Sequence, residues 1–257
     1  MIDVQGGPDH RRVPIERVGI RDIRYPITVR DRSSERQHTV ASVSLSVNLP
    51  HTDRGTHMSR FVEVLDRFKT EVSYHTLDQI LMEIRRELAA EQSHIEVAFP
   101  YFLRRRAPVS GLESTMSYDC MISATYGQRL EIATRVDVPI HTLCPCSKEL
   151  SDHSAHNQRG RVSMTVGMTR FIWIEDLVEI AEASGSSPLY ALLKREDEKF
   201  VTERAYDNPR FVEDVVREVA LRLDRLPGLR WYTVEVENFE SIHNHNAYAM
   251  ISRRNDG

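Results

Sequence analysis

The chain sets its β-forming segments side by side in pairs, and this limits its possible folds more than any other feature. Stretches 16–30 and 37–49 are strand-like; in the second, Val43, Leu45, Val47 and Leu49 share one face, and Ser44, Ser46 and Asn48 the other. Helical spacing follows at Met58, Phe61, Val62, Leu65 and Phe68, and again at Leu77, Ile80, Leu81, Ile84 and Leu88. Strand-like stretches 94–106 and 114–126 close the first half. The second half repeats the order. Strands are expected at 129–141 and 160–170, and helices around Ile174, Leu177, Val178 and Ala181 and around Val212, Val215, Val216, Val219 and Leu223. Asn208 and Pro209 predict the cap and first turn of the last helix. Two final strands are expected at 230–239 and 246–253. Strands in adjacent pairs predict an α+β protein with antiparallel sheets, ββααββ used twice, rather than a chain of βαβ units.

The expected division is a flexible N-terminal arm over 1–14, with Gly6, Gly7, Pro8 and Pro14, then modules over 15–127 and 128–257. Open four-stranded sheets leave two unpaired edges each, which predicts a homo-oligomer. A length of 257 residues with 40% hydrophobic content can bury a large core. The formal net charge of −4 argues against a nucleic-acid binder, which needs clustered Lys and Arg and a stacking platform. No segment reaches the roughly 20 apolar residues of a membrane span, and the N-terminus lacks a signal-peptide core. A cytoplasmic protein is expected. Cys120, Cys144 and Cys146 suit a reducing compartment and do not form a disulfide framework.

The chemistry is concentrated in a few connections. His141, Cys144, Cys146, His153 and His156 crowd the link between the first two strands of the second half, with Lys148 and Arg159 among them. Thiolate and imidazole together suit Zn(II), with Fe(II) as another candidate. Their spacing matches no common zinc finger, which points to an open, catalytic site. Glu240-Ser-Ile-His243-Asn-His245-Asn occupies the turn between the last two strands, where a metal or acid–base site is well held. Glu196, Asp197 and Glu198 form a third cluster, which on composition alone is a solvated face. Cys120, inside a strand pattern, reads as a small buried hydrophobe.

These motifs carry a resemblance. Cys144-Pro-Cys-Ser-Lys-Glu with Ala155-His-Asn-Gln-Arg159 resembles the signature of the type IB GTP cyclohydrolase I family, as do Gly55-Thr-His-Met-Ser-Arg60 and Glu240-Ser-Ile-His-Asn-His245. The resemblance runs from about residue 15 to residue 253. It implies two tandem tunnelling-fold modules, ββααββ with antiparallel sheets, assembled into an oligomeric barrel as a homotetramer with active sites at interfaces. It implies one divalent metal per site, zinc, manganese or iron, held by Cys144, His156, Glu198 and His243. The second module would then carry most of the metal site. Glu240 is expected beside the metal, Cys146 as an assisting group, and Glu213 as the carboxylate that holds guanine through its N1–H and exocyclic amine.

The implied reaction is hydrolytic opening of the guanine imidazole ring of GTP, giving 7,8-dihydroneopterin triphosphate and formate. His245, His153 and His57 are candidate proton carriers. Lys148, Arg159, Arg60 and Arg54 are candidate triphosphate clamps. The run Arg104-Arg105-Arg106 is a further candidate, with solvated charge as its plain reading. Two alternatives remain at the level of sequence. One is an archaeal-type, iron-dependent enzyme forming a cyclic phosphate. The other is a non-catalytic purine- or pterin-binding protein of the same fold.

Overall fold

The alternation visible in the sequence becomes strands that each bury one face. In the computed structural model, which describes residues 5, 7–68 and 71–254, the first two strands are β1 (Ile15–Asp31) and β2 (Glu35–Leu49). Ala41, Val43, Leu45, Val47 and Leu49 of β2 are buried. Two helices follow, α1 (Met58–Arg67) and α2 (Tyr74–Leu88), then β3 (Ser93–Arg106) and β4 (Glu113–Tyr126). Helix α1 buries Phe61, Val64 and Leu65, and α2 buries Leu77, Ile80, Leu81 and Ile84. Ser73 caps α2 by accepting from the Thr76 N–H at 3.2 Å, and Ala89 ends it in the left-handed conformation at φ 50°.

The later elements are β5 (Leu130–Leu143), α3 (Pro145–Leu150), β6 (Asn157–Met168), α4 (Ile174–Ser184), α5 (Arg195–Asp207), α6 (Val212–Leu223), β7 (Leu229–Asn238) and β8 (Ala247–Arg254). Val136, Val138 and Ile140 of β5, Val162, Met164 and Val166 of β6, and Val234 and Val236 of β7 are fully buried. They pack with Leu177 and Val178 of α4 and Val215, Val219 and Leu223 of α6 as the apolar core of this part of the chain.

The eight strands form one sheet in simple chain order, β1 to β8. The pairs β1–β2, β2–β3, β6–β7 and β7–β8 are antiparallel. This overturns the expected fold of two tandem tunnelling-fold ββααββ modules, each with its own sheets, in an oligomeric barrel. The second half also departs from the repeat: α3 stands between β5 and β6, and three helices stand between β6 and β7. Alternation reports which face of a strand is buried, not which sheet the strand joins.

The chain divides into two compact units, one of Met1–Pro100 with Met121–Ala133, the other of Tyr101–Cys120 with Thr134–Gly257. In the first, Asp9 N–H donates to Thr52 O at 2.8 Å and Arg54 N–H to Gly7 O at 3.0 Å, so this part of the N-terminal stretch runs beside the loop after β2. Residues 1–4 and 6 of the expected arm, 69–70 of the first expected module and 255–257 of the second lie outside the described residues. Asn208 closes α5 as its C-cap rather than opening α6, whose N-cap is Phe211. The Asn208 amide donates to the carbonyls of Gly185 and Ser186 at 3.1 and 3.2 Å.

Candidate functional site

The site begins where β5 ends. Leu143 is held at both backbone groups: its N–H donates to Ser186 Oγ at 3.1 Å and its carbonyl accepts from Arg210 N–H at 3.0 Å. The next residue, Cys144, is the N-cap of α3, and Pro145 stands in its first turn, where a missing N–H costs nothing. Cys144 N–H donates to His156 O at 3.1 Å, which brings the two ends of the connection together at the start of β6. Cys146 is exposed and Cys144 half-buried, and both thiols are free.

His156 is the best-defined side chain of the group. Its Nδ1 lies 2.9 Å from Gln158 Oε1, and Gln158 Nε2 donates to Thr142 Oγ1 at 3.0 Å. Thr142 and Gln158 are both buried, so the amide is fixed with its oxygen toward the ring. With the Gln158 oxygen at Nδ1, the neutral ring carries its proton on that nitrogen and keeps the Nε2 lone pair. That is the posture of a metal-ligating imidazole, whose other nitrogen donates to a fixed acceptor.

The turn after β7 supplies the remaining groups. The β6–β7 ladder pairs Gly160 with Asn238, and Phe239 N–H then donates to Arg159 O at 3.0 Å. This register sets Glu240 Oε2 3.9 Å from His156 Nδ1, with both side chains largely buried. Ser241 Oγ lies 3.5 Å from the same nitrogen. The His243 ring stands edge-on to His156 at 6.4 Å and is stacked on His245 at 5.0 Å.

Lys148 of α3 donates to Tyr206 O at 2.6 Å and lies over the Tyr206 ring at 4.2 Å. This ties α3 to the last turn of α5, the helix whose first turn carries Glu198. Glu198, Arg159 and Glu213 are exposed, Glu213 in the first turn of α6. Arg60 lies in the first unit, where its Nη1 donates to the Glu87 carbonyl near the end of α2. Arg105 is paired with Glu182 at 3.1 Å and Arg106 with Glu113 at 2.9 Å. Burial pushes the Cys120 thiol well above its usual range, as expected of a thiol inside a strand.

The structure therefore gathers His156, Glu240, His243 and His245, and joins Cys144 to His156 through the backbone. Among the described residues no three His, Cys, Asp or Glu side chains stand close enough to enclose a metal ion. The donor types and the posture of His156 nevertheless fit a divalent metal. Sequence reasoning missed Thr142, the anchor of Gln158, because a lone threonine in a strand carries no periodic signal. It also missed the structural part played by Asp197. Burial raises the pKa of that carboxyl, but hydrogen bonds from Ser110, Lys194 and Val109 outweigh the effect and hold it well below the usual carboxylate range.

Fold and site together define a class: an α+β protein built on one eight-stranded sheet, with a histidine- and cysteine-bearing site on its connections. The fold is similar to that of urate oxidases. A uricase from Arthrobacter globiformis superposes with a TM-score of 0.53 at 9% identity over 94% of each chain. The urate oxidase of Bacillus sp. TB-90 gives 0.50 at 10% identity, over 94% of this chain and all of the other. At such identities the likeness concerns the fold alone.

The family model described as "Type I GTP cyclohydrolase folE2" matches residues 1–249, and the chain belongs to that family. "GTP cyclohydrolase FolE2" of Pelobacter propionicus is 54% identical over 251 residues, 98% of each chain. That of Kosmotoga olearia is 52% identical over 253 residues, again 98% of each.

Proposed function

We propose that this chain is a metal-dependent GTP cyclohydrolase I that opens the guanine imidazole ring of GTP, yielding formate and 7,8-dihydroneopterin triphosphate for folate and pterin biosynthesis. The observation that carries this reading is identity of about one half to FolE2 enzymes along nearly the whole chain. Cys144, His156, Glu198 and His243 are the proposed metal ligands. When bound, a divalent cation, zinc, manganese or iron, supplies the Lewis acidity that makes water a nucleophile at neutral pH.

The other roles belong to the chain itself. Gln158 holds His156 in the tautomer with Nε2 unprotonated. Glu240, 3.9 Å from His156, is the proposed group that takes and returns a proton as guanine C8 is hydrated and formate leaves. His245, stacked on His243, and His153 are further proton carriers. Cys146 is proposed to assist from the same turn as Cys144. Glu213, exposed at the start of α6, accepts from guanine N1–H and the exocyclic amine together. Lys148 and Arg159 clamp the triphosphate.

Residues 128–257 are proposed to carry most of the metal site. A homotetramer is proposed as the assembled form; Tyr248 and Met250, exposed on β8 at the edge of the sheet, support association. The free Cys144 and Cys146 suit a cytoplasmic location. No helix among the described residues is long and apolar enough to cross a membrane.

The test is to incubate protein loaded with Zn(II), Mn(II) or Fe(II) with GTP and to analyse products by mass spectrometry. Formate and dihydroneopterin triphosphate are expected, with activity lost on chelation and restored by a divalent ion. Full turnover after exhaustive metal removal, or no formate with any ion, defeats the proposal.

A further inference from the structure

Asp197 stands in the first turn of α5 between Glu196 and Glu198. Both neighbours are exposed, whereas Asp197 has no exposure at all. Four hydrogen bonds converge on its carboxylate. Oδ1 accepts from the backbone N–H groups of Val109 and Ser110, each at 2.8 Å. Oδ2 accepts from the Ser110 hydroxyl at 2.6 Å and from the Lys194 N–H at 2.9 Å.

Three of these donors come from the loop between β3 and β4, and the fourth is the N-cap of α5. The loop is a closed turn: Ala107 N–H donates to Leu112 O at 2.9 Å, Gly111 N–H to Ala107 O at 3.1 Å, and Gly111 takes φ +69°. The side chain thus bolts the start of α5 to a rigid loop 87 residues away in sequence. Only an acceptor-only group satisfies all four donors. An asparagine would turn an NH2 toward two of them.

Glu198 follows directly. Its backbone N–H is fixed on Lys194 O at 2.9 Å, while its carboxylate has no hydrogen-bond or ion-pair partner among the described residues. Its backbone is held and its side chain left available. We propose that Asp197, braced by the Ala107–Leu112 loop, is a positioning residue that fixes where Glu198 presents its carboxylate to the metal. The proposal rests on the reading of Glu198 as a ligand. It assigns the loop between β3 and β4 a part in metal retention, although that loop carries no metal-ligating side chain.

The experiment measures Zn(II) affinity of the full chain by competition with a chromophoric chelator, for the parent protein, Asp197→Asn, Glu198→Ala and the double variant. Hydrogen exchange is followed over 107–112 and 195–199. Asp197→Asn is expected to weaken zinc binding about tenfold to a hundredfold, in the range set by groups that orient ligands. It should also speed exchange in both segments. Glu198→Ala should weaken binding at least as much, and the double variant no further, because Asp197 acts only through Glu198.

Parent-like affinity in Asp197→Asn, or a loss that adds in full to that of Glu198→Ala, overturns the positioning role while the ligand reading stands. Parent-like affinity in Glu198→Ala overturns both. Should Asp197→Asn fail to fold, Ser110→Ala removes one donor and serves in its place. A few-fold loss that is absent in the Glu198→Ala background is expected, and unchanged affinity overturns the proposal.

Discussion

Two links between neighbouring strands show how one sheet serves two purposes. Residues 32–34 join β1 to β2 in a tight turn organised by Asp31. Its Oδ1 accepts from Ser33 N–H at 2.8 Å, Ser33 Oγ at 2.7 Å and Ser34 N–H at 2.7 Å, and its Oδ2 accepts from Gln37 Nε2 at 3.1 Å. The link from β5 to β6 is the opposite. It runs through α3, is pinned at its base by the Cys144–His156 backbone bond, and exposes Cys146, Glu149, Leu150 and His153. In the first link the polar side chains are consumed by the turn. In the second the backbone closes the loop and leaves the side chains for chemistry.

The contrast breaks most sharply at Cys144. Cys144→Ala is expected to abolish metal retention and GTP turnover with the fold intact; metal analysis after gel filtration and a formate assay measure this, and parent-like activity would remove the thiol from the ligand set. Next, Glu213→Gln should lower kcat/KM for GTP by roughly a hundredfold, since the amide turns an NH2 toward one of the two guanine donors that the carboxylate oxygens accept side by side. Its unfolding midpoint should not move, because the side chain is exposed; unaltered kinetics would end its guanine role.

Thr142→Val frees the Gln158 amide and lets His156 change tautomer, with an expected loss of about tenfold in zinc affinity. A chelator titration reads that loss directly, and an unchanged constant would show that the ring is oriented by other means.

The smallest effect belongs to the closed turn. Asp31→Asn should cost on the order of 1 kcal/mol of stability at neutral pH and nothing in turnover. Burial works to raise the Asp31 pKa, but the hydrogen bonds from Ser33 and Ser34 outweigh it and hold the carboxyl down to about 2. A lowered folded-state pKa means that the stabilisation is full above about pH 4, the unfolded value, and is lost as the pH falls through about 2. Denaturant midpoints for parent and variant should therefore converge in acid; a gap that persists at pH 2 would contradict this origin.

Much of the fold was legible because it rests on alternation. The strand expected at 37–49 is Glu35–Leu49, and that expected at 94–106 is Ser93–Arg106. Helix α5 was not legible. Only Asp197 and Ala205 of its residues are buried, so it shows no apolar stripe, and its sequence reads as a charged connection. For the same reason Asn208 was assigned to the start of α6. Helix α3 is too short for any periodicity, and the single sheet depends on pairings between segments whose local patterns are identical whichever sheet they join.

The candidate site was visible only as composition, two clusters of rare residue types in turns. What holds it was not. Thr142 and Gln158 meet across two strands, and Asp197 meets Ser110 across 87 residues. Neither pair leaves a mark in local spacing.

The seam between β6 and β7 has a consequence beyond the strands it joins. At Gly160 a β-carbon would come 2.7 Å from Asn238 Oδ1 and 3.0 Å from the Glu237 carbonyl, too near for either to stay in place. Gly160 lies four positions after His156, and Asn238 lies two positions before Glu240. A single methyl group added there would press on the strand that leads into Glu240, so the spacing of glutamate and imidazole depends on a residue that belongs to neither.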